Sequence, residues 1–179
     1  MKEITIQVPD GKRAEWRDGV LMLVDDYVRP QTFEEALKLL DESSLAVIEY
    51  NMLKENNAST SVIAEAKLKI IAEALNQEPF VEYNAHVNRY YPWFVVRTQE
   101  EYDVCDNTED WVKITYPNSP SIYISFCNVS TLSRKNALGY SVKLTLNRKE
   151  DAEYCGKQFT DIWAEYMYST ECIINKTFT

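Results

Sequence analysis

The chain has a single histidine, no Cys-x-x-Cys pair, few glycines and no surplus of basic residues. Each shortage excludes something. A Cys–His or Ser–His nucleophile needs an imidazole within hydrogen-bond reach, and His86 is the only one, set in a connector with no helix or strand pattern to hold it. One His with four scattered cysteines (Cys105, Cys127, Cys155 and Cys172) fits no zinc-ligand spacing, so neither metal nor cofactor is expected. Four Gly and six Pro in 179 residues argue against a linker-rich or disordered chain. With 19 Lys and Arg against 28 Asp and Glu, the net charge of −9 disfavours direct binding to nucleic acid or an anionic membrane. No apolar run approaches a membrane span. The chain opens Met1-Lys2-Glu3 and moves directly into a strand pattern, so no leader is expected. The Asn-x-Ser/Thr matches at Asn57, Asn128 and Asn175 therefore carry little weight. A reducing, intracellular setting is expected, with Cys155 a buried thiol.

What is present is a 45% hydrophobic chain with twelve Tyr, four Trp and six Phe, long enough for one sizeable core. Aromatic side chains with polar handles can fill that core or build a partner surface. Ile4, Ile6 and Val8 alternate with polar residues, and Val20 to Val24 is a second apolar run. A long-looped hairpin over 2–25, rich in charge, is expected to form an exposed lobe. Thr32 and Glu35 form a capping box for a helix with Phe33, Ala36, Leu37 and Leu40 inside. Ser43 or Ser44 starts a second helix through Leu45, Ile48, Met52 and Leu53, ended by Asn56-Asn57. A third runs from about Thr60 to Asn76, turning Ile63, Ala64, Leu68, Ile71, Ala74 and Leu75 inward.

After a connector over 77–92, the cluster Tyr90-Tyr91-Pro92-Trp93-Phe94 is expected to open a strand through Val95, Val96 and Arg97, with further strands at Trp111–Tyr116 and Ile122–Cys127 and a polar loop over 128–137. Tyr140, Val142, Leu144 and Leu146 alternate with polar residues as a half-buried strand does. Asn147 and Glu150 can then cap a helix whose apolar stripe is Ala152, Cys155, Gly156, Phe159, Ile162, Trp163, Tyr166 and Met167. Phe159 and Trp163 should face the preceding sheet. Gly156 costs that helix roughly 1 kcal/mol against alanine, which makes sense if a sheet backbone approaches too closely for a methyl group. Residues 171–179 form a short, strand-like tail.

The fold class is therefore α+β. An N-terminal β-hairpin and short helices precede an antiparallel sheet of about four strands, covered by a C-terminal amphipathic helix. The divisions expected are a hairpin lobe over 1–30, a helical layer over 31–78 and a sheet-plus-helix unit over 79–179, the last two forming one compact body.

Two segments are candidate partner-binding sites. Tyr90, Tyr91, Trp93 and Phe94 would make an aromatic anchor patch if exposed. Burial is the simpler reading for Trp93 and Phe94, with the two tyrosines left open. Between Gln99 and Asp110 lie Glu100, Glu101, Asp103, Asp106, Glu109 and Asp110 without a base. These acids could mimic DNA phosphates, although a solvated face is the plainer reading. No Asp-x-Asp-x-Asp-Gly loop is present for a hard cation. Acids are plentiful enough for a paired-carboxylate hydrolase, but no spacing singles out two. Lys143, Arg148, Lys149 and Lys157 are most simply on solvated faces, with Glu153 paired to Lys157.

Ala152-Glu153-Tyr154-Cys155-Gly156-Lys157-Gln158-Phe159 resembles a motif of a family of small proteins encoded by phages and prophages of gut Bacteroidales, crAss-like phages included. Lys2-Glu3-Ile4-Thr5-Ile6-Gln7-Val8-Pro9, Thr32-Phe33-Glu34-Glu35-Ala36, the helix from Ala66 to Asn76 and Tyr90-Tyr91-Pro92-Trp93-Phe94 look like the same family, in its order. Val142-Lys143-Leu144 stands where the family tends to carry Ser-Arg-Leu, and Cys155 where it usually carries Ala. The resemblance implies a phage origin and a shared fold, without a mechanism. It places the protein in the cytoplasm of the bacterial host, or in the virion. The expected function is non-enzymatic: binding of a protein partner, or self-association into a homo-oligomer. The alternatives are an acidic DNA-mimic inhibitor and a hydrolase with a carboxylate site.

Overall fold

Two short strands, Lys12–Arg17 (β1) and Val20–Asp25 (β2), open the described chain in a computed structural model covering residues 6–9, 12–17, 19–25, 27–77, 88–106, 110–117, 119–132, 142–168 and 173–176. They pair antiparallel with Arg17 opposite Val20, which closes a tight hairpin. Gly19 has φ of 78°, a conformation that favours glycine and suits a tight hairpin. The hairpin is present, but its first strand is the stretch expected to be a loop. Residues 6–9 are not a strand, and Ile4 lies outside the described residues.

Three helices follow: Phe33–Lys38 (α1), Leu45–Glu55 (α2) and Thr60–Asn76 (α3). The Thr32 hydroxyl accepts from the Glu35 N–H at 3.2 Å, while the Glu35 carboxylate accepts from the Gln31 N–H at 2.7 Å, one residue before the cap. Ser44 caps α2, and Asn57 ends its turn at φ of 52°. The inner face of α2 is Ala46, Val47 and Tyr50, not the expected stripe. Leu45, Ile48 and Met52 are exposed at 82%, 44% and 59%. Ala46 and Val47 are compact enough to sit against α3, and the Tyr50 ring meets the Phe33 edge with centroids 5.1 Å apart. That contact rotates the helix away from its larger aliphatic residues. Helix α3 keeps its expected limits; Ile63 is only half-buried, whereas Ile70, Ile71, Ala72, Ala74 and Leu75 are all buried. An apolar surface that broad makes α3 the central helix.

The second half contains strands Arg89–Thr98 (β3), Val112–Tyr116 (β4), Ser119–Leu132 (β5) and Ile173–Lys176 (β6), with the short helix Gln99–Asp103 (α4) after β3. They form an antiparallel sheet in the order β3-β5-β4-β6. Strand β5 continues through residues expected to be loop. The expected strand at 140–146 is replaced by a single 3-10 turn over Val142–Leu144; residues 140 and 141 lie outside the described residues. Leu146 alone bridges to Tyr90, by backbone bonds of 2.9 and 2.8 Å. The fourth strand is instead the C-terminal tail, paired with β4. Leu144 and Leu146 are both buried, so their alternation reflects core contact without strand pairing.

Helix Lys149–Gln158 (α5) starts from Arg148, not Asn147, whose N–H donates to the Asn76 side chain at 2.8 Å. The expected single C-terminal helix is two, because the chain breaks at Phe159 before Thr160–Tyr168 (α6). The Thr160 hydroxyl donates to the carbonyls of Gly156 at 2.6 Å and Lys157 at 3.1 Å. Back-bonding of this kind bends helices. The apolar stripe survives the break: Ala152, Cys155, Gly156, Phe159, Ile162 and Trp163 are all buried. They join α1, α2 and α3 in one core, with Phe94 of β3 packed against it.

Gly156 faces the sheet at close range. A methyl group there would overlap the Phe126 ring and stand 2.7 Å from Cβ of Pro92. Pro92 is fixed by its own ring, so the helix itself would have to shift. Gly156→Ala should therefore lower stability by about 1–3 kcal/mol, the overpacking cost outweighing the gain in helix propensity. Chemical denaturation measures this; a variant as stable as the parent would contradict the close approach.

Candidate functional site

The aromatic run in β3 is split by its register. A shift between Trp93 and Phe94 re-aims the strand. Phe94 turns inward onto Trp163, with centroids 5.6 Å apart, and Phe126, at 6.4 Å. Pro92 is buried, and Tyr90 and Tyr91 are half-buried. Trp93 is 48% exposed, which corrects the expectation that it lies inside with Phe94. Of the predicted aromatic patch, Trp93 alone is an exposed ring.

The acidic stretch is held by local structure. Thr98 and Glu101 form a capping box for α4, with the Glu101 carboxylate accepting from the Thr98 N–H at 2.9 Å. The Asp103 carboxylate accepts from the Gln99 side chain at 2.7 Å. Tyr102 stacks on Tyr123 with centroids 3.8 Å apart and meets Trp111 edge-on at 5.8 Å, which pins α4 to the sheet. Glu100, Glu101, Asp103 and Asp106 are all exposed, but Glu101 and Asp103 already serve the helix. Glu109 and His86 lie outside the described residues, as do Arg134, Lys135 and Cys172.

The basic residues are mostly engaged. Lys157 pairs with Glu153 at 2.7 Å as expected. Arg148 and Arg29 instead grip one buried carboxylate: Asp151, 1% exposed, takes Arg148 Nε at 2.6 Å and Arg29 Nε at 3.0 Å. Arg29 also lies over the Tyr154 ring at 5.1 Å. Tyr154 donates to the Pro30 carbonyl at 3.1 Å, Gln158 to that of Gln31 at 2.6 Å, and Tyr27 to that of Ala74 at 2.9 Å. Burial, with Asp151 nearby, holds the Tyr27 phenol well above its ordinary range. These bonds fasten residues 27–31, which follow the hairpin in the chain, to α5 and α3.

The hairpin exposes several apolar side chains. Trp16 is 70% exposed, Val20 60%, Leu23 47% and Met22 45%. No helix or other strand among the described residues packs broadly on β1 or β2. The sequence reading missed this as a site because it took β1 for a loop. The signal was present in Asp18-Gly19, the dipeptide of a two-residue hairpin turn.

Among the described residues, no group of three His, Cys, Asp or Glu side chains could hold a metal ion. Nor is any helix among them long and apolar enough to cross a membrane. Cys155 is buried, Cys105 intermediate and Cys127 exposed, all as free thiols. No protein-family model, curated protein or solved structure matches the chain. The site must be read from its own chemistry.

Burial pushes the Cys155 thiol up to about 12 from 9.0, despite the adjacent Trp163 indole N–H and with Asp151 adding to the rise. That indole N–H makes no hydrogen bond of ordinary geometry among the described residues. The folded chain keeps the thiol proton where the unfolded chain loses it. This contribution to stability is full below pH 9 and fades as pH rises toward 12. The ordinary tyrosine value of 10.0 is higher, so the first part of the alkaline loss belongs to Cys155. Denaturant stability measured between pH 9 and 10 should fall in the parent and stay flatter in Cys155→Ala. Equal slopes would contradict the assignment.

Proposed function

We propose that the chain is a phage-encoded, non-enzymatic protein that acts by binding another protein or by self-association, with the N-terminal hairpin as its contacting element. The observation that carries this reading is the exposure of Trp16, Val20, Met22 and Leu23 on a ribbon that no other described element covers. A two-stranded hairpin is marginal in water by itself. Apolar surface left in solvent in this way marks contact sites, and tryptophan is prominent among binding hot spots. Trp93 and Val96, exposed at 48% and 43% on the outermost strand β3, offer a second, smaller contact.

The DNA-mimic reading draws less support, since Glu101 and Asp103 are spent on their own helix. The hydrolase reading has one observation in its favour, a cavity of about 660 Å³ with Asp41, Glu49 and Glu73 in its lining. Glu49, however, is paired with Lys69 at 2.8 Å, and the Asp41 carboxylate accepts from the Ser43 N–H at 2.8 Å. Among the described residues Glu73 is the one of the three bonded only to a hydroxyl, and a paired-carboxylate hydrolase needs two carboxyl groups.

The test is light scattering of the purified chain together with pull-down from phage-infected cells. Trp16→Ala and Leu23→Ser change residues outside the core, so the fold should melt as the parent does. Each should weaken assembly or partner recovery by at least about tenfold, the loss of one hot-spot side chain. A parent that is strictly monomeric and recovers no partner would overturn the proposal, as would variants that behave like it.

A further inference from the structure

The same cavity carries an inference independent of the hairpin. It lies between the end of α1, the first turn of α2 and the last turns of α3, and 660 Å³ is a volume ordinary for a small-molecule pocket. Its walls are largely apolar, built from the Tyr27 ring, Leu39, Leu40, Leu45, Ala46 and Ala74. Leu39 and Leu45 are exposed at 53% and 82%, so a ligand with an apolar body would remove leucine surface from water on entering.

The polar groups of the lining are unevenly charged. Asp41, Glu49 and Glu73 face Lys69 and Lys143. Lys69 also belongs to Glu65, with bonds of 2.8 Å to Glu49 and 3.1 Å to Glu65. Burial alone would depress its ammonium, yet those two carboxylates outweigh burial and hold it above the ordinary lysine value. Glu73, one turn further along α3, takes no part in that balance. It is half-buried, and its partner is the Ser44 hydroxyl at 2.8 Å. The Ser44 oxygen accepts from the Ala46 N–H as the cap of α2, so its proton is directed at Glu73. The result is a carboxylate held in one orientation, beside apolar walls, with no cation assigned to it among the described residues. A carboxylate partly withdrawn from water and bonded, among the described residues, to a hydroxyl alone favours a cationic partner.

We propose that this cavity binds a small organic cation with an apolar body, such as an aliphatic primary amine. Its ammonium group would meet Glu73, and its hydrocarbon would lie against Leu39, Leu45 and Tyr27. Calorimetry with hexylamine, hexanol and hexanoate on the full chain tests this, because the three share a body and differ in the head group. Hexylamine should bind at least about tenfold more tightly than hexanol, the worth of a charge-assisted hydrogen bond, and hexanoate should bind weakest. Glu73→Gln retains an oxygen for Ser44 and should abolish the preference for the amine while leaving hexanol affinity unchanged. Leu45→Ser should weaken both the amine and the alcohol. An amine that binds no better than the alcohol, or whose affinity survives Glu73→Gln, would overturn the proposal. So would the absence of binding by any of the three at millimolar concentration.

Discussion

The fold depends on one close approach, that of helix α5 to the sheet at Gly156. Without a side chain there, the helix settles against Pro92 of β3 and Phe126 of β5. That contact lets the stripe from Ala152 to Trp163 reach the sheet on one side and the helical layer on the other. Trp163, at 1% exposure, lies where the two meet, tilted against Phe94 and edge-on to Tyr166. The break at Phe159 redirects the chain without interrupting the stripe. It also brings α6 against α3, where Lys67 and Glu165 pair at 3.4 Å. A helix glycine usually weakens its helix; here the intrinsic cost is offset by contact that a larger residue would prevent.

This arrangement also sets what remains outside. Helices α1 to α3 and the α5–α6 pair enclose a common core, and α4 is stacked on the sheet through Tyr102. The residues that follow the hairpin are tied to the body through Tyr27, Arg29, Pro30 and Gln31. Buried and paired charge at Asp151 holds that segment, while Trp16, Val20, Met22 and Leu23 of the ribbon are exposed and no other described element packs broadly on it. The cavity beside Tyr27 lies near this segment, but its polar chemistry belongs to α2 and α3.

Much of this was legible in the sequence where local and tertiary signals agree. Helix α3 is correctly bounded because its apolar spacing and its flanking polar residues point the same way. The C-terminal stripe, including Gly156, Phe159 and Trp163, is correct because periodicity of that length has one simple explanation. Errors came where two signals competed. Ile4-Ile6-Val8 alternates more cleanly than Lys12–Arg17, so the alternation points to the wrong stretch for the first strand of the hairpin. Leu144 and Leu146 alternate as strand residues do, yet their burial comes from a 3-10 turn and a single bridge to Tyr90. Thr98-x-x-Glu101 is a capping box legible in the sequence itself, within a segment whose composition is dominated by acids. The cavity was not legible at all, since Tyr27, Ser44 and Glu73 converge only after the helices assemble.

Hydrogen exchange of the isolated chain, resolved by residue, tests the central claim most directly. The account predicts the slowest amides in Leu68–Leu75 of α3, around Ile114 and Ile124 in the sheet, and across Cys155–Trp163. It predicts near-unprotected amides in β1 and β2, because no other described element packs broadly on the ribbon. A monomer whose hairpin amides are as protected as those of α3 would contradict it, by showing that the ribbon belongs to the core.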